Sequence, residues 1–234
     1  MANLPGISLG RQCAPEAAGT FLLVFTGTSA MLFNELSGGA ITHPGIATTF
    51  GMAVMLAVFT LAPISGAHIN PAVTLGFWAA DRLEAKRLAP YIASQCAGAI
   101  LASGLLLGLF GNQTAMGSTL PIEIDGQRLV YPCLALETLA TFILMFVILR
   151  VTGENISTVS VIVGGTVAML SLFAGPISGA SMNPARSLAP AVASGNFTAF
   201  WIYLLGPAIG ALLAVPASRA MRLAKHTGEA ESPS

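Results

Sequence analysis

Two copies of an Asn-Pro-Ala triplet are the strongest candidates for functional residues in this sequence. They lie in the segments 63–75 (PISGAHINPAVTL) and 176–188 (PISGASMNPARSL), which share nine of thirteen positions at a constant offset of 113 residues. The triplets comprise Asn70, Pro71, Ala72, Asn183, Pro184 and Ala185. Asn is among the best helix N-caps, and Pro is favoured at the first helical position. Each triplet therefore predicts the start of a short helix with an asparagine amide beside it.

The composition indicates that lipid covers most of the surface of this chain. Hydrophobic residues make up 54% of the 234 residues, charged residues only 9%, and the mean hydropathy is +0.77. Soluble domains carry about 25% charged residues. The formal net charge is zero, which argues against binding of nucleic acid. These values exclude a cytosolic enzyme, a secreted disulfide scaffold and a basic nucleic-acid-binding protein.

Six apolar windows have about the 20 residues that cross a bilayer core. Their apolar runs are continuous rather than alternating, so we expect helices and not barrel strands. Two shorter apolar segments, 71–80 and 184–193, follow the second and fifth windows and are too short to cross. The six windows lie near 14–33, 45–61, 90–110, 132–149, 158–174 and 199–220. The sequence thus predicts an all-α membrane protein with six transmembrane helices and two re-entrant half-helices.

The two halves of the chain form an inverted three-plus-three repeat. Each half has three spans, with its triplet between the second and the third. An odd number of spans per half forces opposite orientations, so the two triplets enter the membrane from opposite faces, as expected of a transport site. The predicted segments are an N-terminal cytoplasmic segment (1–13), a first repeat (14–111), an outer connecting loop (112–131), a second repeat (132–221) and a cytoplasmic tail (222–234).

The positions of Lys and Arg predict the orientation in the membrane. Eight of these residues fall on one side of a six-span arrangement, whereas Arg128 and Arg186 fall on the other. Because cytoplasmic loops are enriched in Lys and Arg, we expect both termini in the cytoplasm. The sequence therefore predicts a multi-pass protein of the cell membrane, either a plasma membrane or an inner membrane.

The half-helices polarise the centre of the predicted protein. Two half-helices that meet at mid-membrane bring both N-termini together, each equivalent to about +0.5 charge. The amides of Asn70 and Asn183 would project into this positive centre. Arg186 directly follows the second triplet, and an arginine at membrane depth is expected to be functional.

These residues resemble those of the aquaporin (major intrinsic protein) family. The six spans, the two Asn-Pro-Ala motifs and their contexts HINPAVT and MNPARS match that family over residues 14–220. The resemblance implies a homotetramer in the lipid bilayer, in which each subunit has its own single-file pore without a cofactor or a metal. It also implies that Asn70 and Asn183 donate hydrogen bonds to the solute oxygen. The half-helix dipoles would oppose the passage of protons and cations through the pore.

The resemblance further implies a selectivity filter of four residues. Arg186 would narrow the outer mouth, and the family's spacing adds Phe50, twenty residues before the first triplet. Ser171 and Ala180, twelve and three residues before the second triplet, complete the filter. Strict water channels have His at the position of Ser171, so this filter is wider and has one imidazole fewer. Because selectivity follows diameter and lining polarity, we expect small neutral polyols or hydroxides to pass with water.

The residues at positions that separate water channels from polyol facilitators give conflicting indications about the solute. Ser187 replaces the Asp of strict facilitators, Ala191 and Tyr203 resemble water channels, and Leu204 resembles facilitators. Residues 173–188 (FAGPISGASMNPARSL) resemble the nodulin-type intrinsic proteins of plants and their bacterial relatives, which pass glycerol or metalloid hydroxides. We expect water as the main solute, with glycerol, urea, hydrogen peroxide or metalloid hydroxides as further candidates. The alternative is a glycerol or metalloid-hydroxide facilitator in which water is secondary.

Three further titratable residues are candidates for structural roles. Glu16 and Glu137 occupy matching positions in spans one and four, and the resemblance implies that they hold the re-entrant loops by hydrogen bonds rather than relay protons. His68 lies two residues before Asn70. We expect it to line the cytoplasmic vestibule or to brace the first loop.

Two other classes of membrane protein are alternatives to a passive channel. A secondary transporter can also use inverted repeats and broken helices, but coupling needs titratable groups near the midplane. The spans offer only Glu16 and Glu137, besides Arg186 at the pore mouth. An intramembrane enzyme would need a nucleophile–base pair or metal ligands at depth, and no His lies within a predicted span. We therefore expect a passive channel and not an enzyme, with the transporter as the more distant alternative.

Overall fold

The computed structural model describes residues 8–112 and 115–230, and for residues 222–230 the backbone alone. Over these residues six helices are long and apolar enough to cross a membrane. They are α1 (Leu9–Leu36), α2 (Thr42–Ser65), α4 (Ala85–Phe110), α5 (Val130–Val151), α6 (Ile156–Ser178) and α8 (Ile202–Ala230). The half-helices are α3 (Pro71–Ala79) and α7 (Pro184–Ser194). The predicted fold of six spanning helices and two half-helices is confirmed.

The helices extend beyond the predicted apolar windows. Helix α1 begins at Leu9, inside the predicted N-terminal segment, and α8 continues to Ala230, inside the predicted tail. A hydropathy window ends at the first polar residues, whereas backbone hydrogen bonds continue through them. The predicted connecting loop contains an antiparallel hairpin, β1 (Glu123–Ile124) with β2 (Gln127–Arg128). Residues 1–7, 113–114 and 231–234, which belong to the predicted N-terminal segment, loop and tail, lie outside the described residues.

The repeat in the sequence is also a repeat in the packing. Helix α1 packs against α2 and α4, and its counterpart α5 packs against α6 and α8. The two halves meet where α2 crosses α6. At this crossing a Cβ on Gly51 would lie 2.6 Å from Gly164 O, and one on Gly164 would lie 2.7 Å from Gly51 O. Only glycine allows the two backbones to approach this closely, as small residues do between membrane helices.

The distribution of polar and apolar side chains suits a lipid environment. Large apolar side chains such as Met52, Leu101 and Phe173 are exposed on the outer faces of the helices. Glu16 and Glu137 are instead fully buried. Because no water in the bilayer core can satisfy polar groups, they must find their partners inside the protein.

Candidate pore

Asparagine caps start both half-helices at the predicted positions. Asn70 Oδ1 accepts hydrogen bonds from the backbone N–H groups of Ala72 (2.8 Å) and Val73 (3.4 Å). Asn183 Oδ1 accepts the equivalent bonds from Ala185 (3.0 Å) and Arg186 (3.4 Å). Pro71 and Pro184 each occupy the first turn, where a missing N–H does no harm.

The two caps also hold each other in place. Asn70 Nδ2 donates to Met182 O at 2.7 Å, and Asn183 Nδ2 donates to Ile69 O at 2.9 Å. Each acceptor immediately precedes the opposite asparagine. Both asparagines line one internal cavity, hereafter the main cavity, to which both halves of the chain contribute. A side-chain amide has two N–H donors, so each asparagine keeps a second donor for a group in that cavity.

The loops that lead into the half-helices adopt a strained backbone. Ala67 and Ile69 have φ of 45°, and the matching Ala180 and Met182 have φ of 44° and 52°. Non-glycine residues in this left-handed region are destabilised by about 1–3 kcal/mol each. Such a conformation persists only where neighbouring groups fix it.

The two buried glutamates supply these fixing contacts. Glu16 accepts hydrogen bonds from the N–H groups of His68 (2.9 Å) and Ile69 (2.6 Å). Glu137 accepts from those of Ser181 (2.8 Å) and Met182 (2.8 Å). In each loop the carboxylate therefore contacts two consecutive backbone amides, the second of which belongs to a strained residue.

Two serines and two tyrosines extend this pattern, and sequence reasoning missed their contacts. Ser65 Oγ and Ser178 Oγ donate to Glu16 and Glu137, each at 2.7 Å. Tyr91 OH donates to Ser65 O at 2.9 Å, and Tyr203 OH donates to Ser178 O at 2.8 Å. The serines belong to the repeated PISGA segments and could have been found there. The tyrosines lie 112 residues apart outside the obvious repeat.

His68 has two contacts that hold the first loop against its half-helix. Its ring stacks on Phe77 at 4.4 Å between centroids, and Nδ1 lies 3.3 Å from Thr74 Oγ1. The residue also lines the main cavity. The position is thus compatible with both predicted roles, lining and bracing.

Four residues surround a junction between two cavities. The main cavity, with about 70 Å³ of space for water, includes both half-helix N-termini. A second cavity of similar volume lies beside it, and we call it the outer cavity because Arg186 is predicted to lie at the outer mouth. The residues that line both are Phe50, Ser171, Ala180 and Arg186. The structure therefore brings together the four residues predicted from the family's spacing. Sequence reasoning assigned no role to His43, yet it also lines the outer cavity.

Arg186 is held at this junction by groups from two other segments. Its Nη1 donates to Gly117 O at 2.8 Å, and its Nη2 lies 3.1 Å from Met31 Sδ. The guanidinium lies 5.0 Å from the centroid of the Phe50 ring. Nε is buried and has no hydrogen-bond partner among the described residues. A buried unsatisfied donor is costly, so this N–H is suited to a solute oxygen.

The wall of the main cavity opposite the loops is apolar. It is formed mainly by aliphatic side chains of α2, α5 and α6: Val54, Val58, Leu144, Ile148, Val159, Val163 and Val167. Most polar groups come from the two loops and from the asparagine caps, whereas the C-terminal end of α5 and helix α6 contribute only Thr152 and Ser171. A molecule in this cavity therefore meets hydrogen-bonding groups mainly along one side.

Comparisons with known proteins agree with this architecture. A family model described as "Major intrinsic protein" matches residues 4–217. The chain is 43% identical over 210 residues to Aquaporin NIP1-3 of Oryza sativa subsp. japonica, covering 88% of this chain and 72% of that protein. It is 38% identical over 214 residues to Nodulin-26 of Glycine max, covering 90% of this chain and 77% of that protein.

The fold is also similar to that of a solved structure. The X-ray structure of the aquaglyceroporin from Plasmodium falciparum matches with a TM-score of 0.80 and 25% sequence identity, covering 89% of this chain and 95% of that chain. The family match spans nearly the whole folded chain, and the relatives exceed 30% identity over most of it. The chain therefore belongs to the major intrinsic protein family.

Proposed function

We propose that the chain is a passive transmembrane channel for water and small uncharged solutes. The observation that carries this proposal is the meeting of two half-helix N-termini, whose caps Asn70 and Asn183 line one cavity. Each cap has one N–H bonded to the opposite loop and a second N–H available. Solute molecules that pass in single file can accept hydrogen bonds from these available N–H groups through their oxygen atoms.

The charges along this path disfavour cations. The N-termini of α3 and α7 each contribute about +0.5 charge at the same place. Arg186 adds a full positive charge at the junction of the two cavities. A proton carried along a file of water would meet both barriers. Neutral molecules meet neither.

The filter residues indicate which neutral solutes fit. Ser171 and Ala180 have smaller side chains than Phe50 and Arg186, with which they surround the junction, so we propose that the junction is wide enough for small neutral solutes besides water. Glycerol, urea, hydrogen peroxide and metalloid hydroxides are neutral and small. We propose water as the main solute and these molecules as further solutes. A facilitator of glycerol or metalloid hydroxides is the second candidate, favoured by the absence of an imidazole at Ser171.

The contacts of the buried acids argue against a coupled transporter. Glu16 and Glu137 have their oxygens occupied by backbone N–H and serine hydroxyl groups. Glu16 also accepts from Gln95 Nε2 at 2.8 Å. We propose that both carboxylates are structural, because a proton-coupling group must be free to exchange protons with the transport path.

The assembly and the membrane follow from the same proposal. Helices α1, α2 and α6 line a surface groove that includes the half-buried Leu22 and the exposed Met52, Leu56 and Phe59. We propose that such faces pack against other copies in a homotetramer, and that the remaining outer surface contacts lipid. The proposed location is the cell membrane, with both termini in the cytoplasm and Arg186 towards the outer mouth.

Uptake of radiolabelled glycerol into proteoliposomes tests passive transport against coupling. With an inward proton or Na⁺ gradient, we expect internal glycerol to reach the external concentration and stop there, faster than in protein-free liposomes. A pH-sensitive dye inside the vesicles should report no added proton leak. Accumulation above the external concentration would refute the channel and support a transporter.

A further inference from the structure

A histidine side chain lies in the outer cavity, close to the filter. His43 is the second residue of α2, and it lines the outer cavity together with Phe50, Ser171, Ala180 and Arg186. Thr42, with φ of 64°, begins the helix, and its N–H donates to Asn34 Oδ1 at 2.7 Å. The end of α1 therefore fixes the point from which the His43 side chain leaves the backbone.

The opposite helix has a gap that the imidazole fills. A Cβ on Gly175 of α6 would lie 2.6 Å from His43 Cε1, so any larger residue would displace the ring. On the same helix, Leu172 O lies 2.9 Å from His43 Nε2. The ring is thus seated against α6 one residue away from Ser171, the filter residue on that helix.

This contact decides which hydrogen bonds the ring can offer. A carbonyl oxygen only accepts, so His43 Nε2 must carry the proton that it donates to Leu172 O. In a neutral imidazole the other nitrogen is then an acceptor. Nδ1 has no hydrogen-bond partner among the described residues. Arg186, by contrast, is a donor only, so the outer cavity combines a fixed donor with a fixed acceptor.

We propose that His43 is a further specificity-determining residue, which accepts a hydrogen bond from a hydroxyl group of a polyol entering the filter while Arg186 donates to an oxygen of the same molecule. This inference rests on the proposed channel function. A water molecule keeps hydrogen bonds to the waters before and after it in the file. A polyol hydroxyl that has lost its water must find its acceptor on the wall, so His43 matters more to polyols than to water.

Permeability of proteoliposomes to glycerol and to water, measured in parallel by stopped-flow light scattering, tests this role. His43→Phe keeps an aromatic ring beside Gly175 and removes both nitrogens. We expect the ratio of glycerol to water permeability to fall by about three- to tenfold, the effect of one hydrogen bond. His43→Gln, which has both an N–H donor and an acceptor oxygen, should stay within about twofold of the wild-type ratio.

Two further variants separate the proposed role from general disturbance of the helix. Gly175→Ala leaves His43 in place but displaces its ring, and it should lower the ratio in the same direction as His43→Phe. Thr48→Ala, at an exposed position on the same helix, should leave the ratio unchanged. Elution and melting temperature in detergent show whether each variant folds, and only folded variants are compared.

The outcomes distinguish this inference from the function on which it rests. If the wild type accelerates neither water nor glycerol, the proposed channel fails. If the wild type conducts glycerol but His43→Phe and Gly175→Ala both keep the wild-type ratio, the channel stands and the role of His43 is refuted. Equal loss in His43→Phe and His43→Gln would also refute it, because the ring would then act by shape rather than by its acceptor.

Discussion

Asn70 and Asn183 each donate one side-chain N–H to the carbonyl that immediately precedes the other asparagine. The same side chains accept the cap hydrogen bonds of their own half-helices. One residue type thus starts each half-helix, joins the two halves of the chain and keeps a donor for the cavity. Few other side chains combine an acceptor with two donors, which explains why the triplet begins with asparagine in both copies.

Replacement of Asn70 by serine separates these functions. Asn70→Ser keeps an N-cap oxygen but removes the N–H bonded to Met182 O and the second N–H in the cavity. We expect water permeability of proteoliposomes to fall by about fivefold or more, since each lost hydrogen bond corresponds to about 0.5–1.5 kcal/mol. Asn155→Ser is the matched control, because Asn155 caps α6 at an exposed position and lines neither pore cavity. Equal loss in both variants would contradict a pore role for Asn70.

Removal of the filter arginine should widen the junction and lower its charge barrier. In Arg186→Ala we expect faster glycerol flux and a measurable proton or cation leak, because the positive charge and the side chain that restrict the passage are both gone. Glycerol re-swelling and an internal pH dye measure the two effects. Arg150→Ala, at the exposed end of α5, serves as the control. Unchanged glycerol and ion permeability in Arg186→Ala would show that the junction is not the filter.

Histidine at position 171 should make the filter stricter. Ser171→His adds an imidazole to the junction lined by Phe50, Ala180 and Arg186. We expect glycerol permeability to fall at least about tenfold while water permeability changes little, because a narrower filter excludes the larger solute first. Thr48→His places the same side chain at an exposed position of α2 that lines neither pore cavity and should change neither. A parallel loss of water and glycerol would indicate a blocked pore rather than a changed selectivity.

Loss of one carboxylate should destabilise the second loop. Glu137→Gln can keep one acceptor oxygen for Ser178 Oγ and Ser181 N, but its NH2 group faces Met182 N. The lost charged hydrogen bond corresponds to about 1.5–3 kcal/mol. We expect Glu137→Gln to have a lower melting temperature than the wild type in detergent, with intrinsic fluorescence as the measure of unfolding. Glu154→Gln, at an exposed position, should melt like the wild type, and equal melting of Glu137→Gln would contradict a structural role for Glu137.

The fold could be predicted largely from the sequence because its signals are local. Helices were identified by apolar length, and the half-helix starts by the cap residues Asn70 and Asn183. Helices α1 and α8 extend past the predicted apolar windows because backbone hydrogen bonds continue through the neighbouring polar residues. The hairpin in the connecting loop escaped notice because its strands are only two residues each, too short for an alternating pattern.

The contacts around the filter were harder to foresee, since they join residues far apart in the chain. Met31 and Gly117 hold Arg186 across 155 and 69 residues, and His43 meets Leu172 across 129. No periodicity or motif marks such pairs. The positions of Phe50, Ser171 and Ala180 came from the family's spacing, and their part in selecting solutes stays a prediction until permeabilities are measured.

Stopped-flow light scattering on proteoliposomes of the wild-type protein, with sucrose and glycerol gradients in parallel, tests the central proposal most directly. A passive channel with this filter predicts faster shrinkage in sucrose than in protein-free liposomes. It also predicts faster re-swelling in glycerol. Fast shrinkage without faster re-swelling would contradict the polyol-permeable filter formed around Ser171 and Ala180. No acceleration in either gradient would contradict the channel itself.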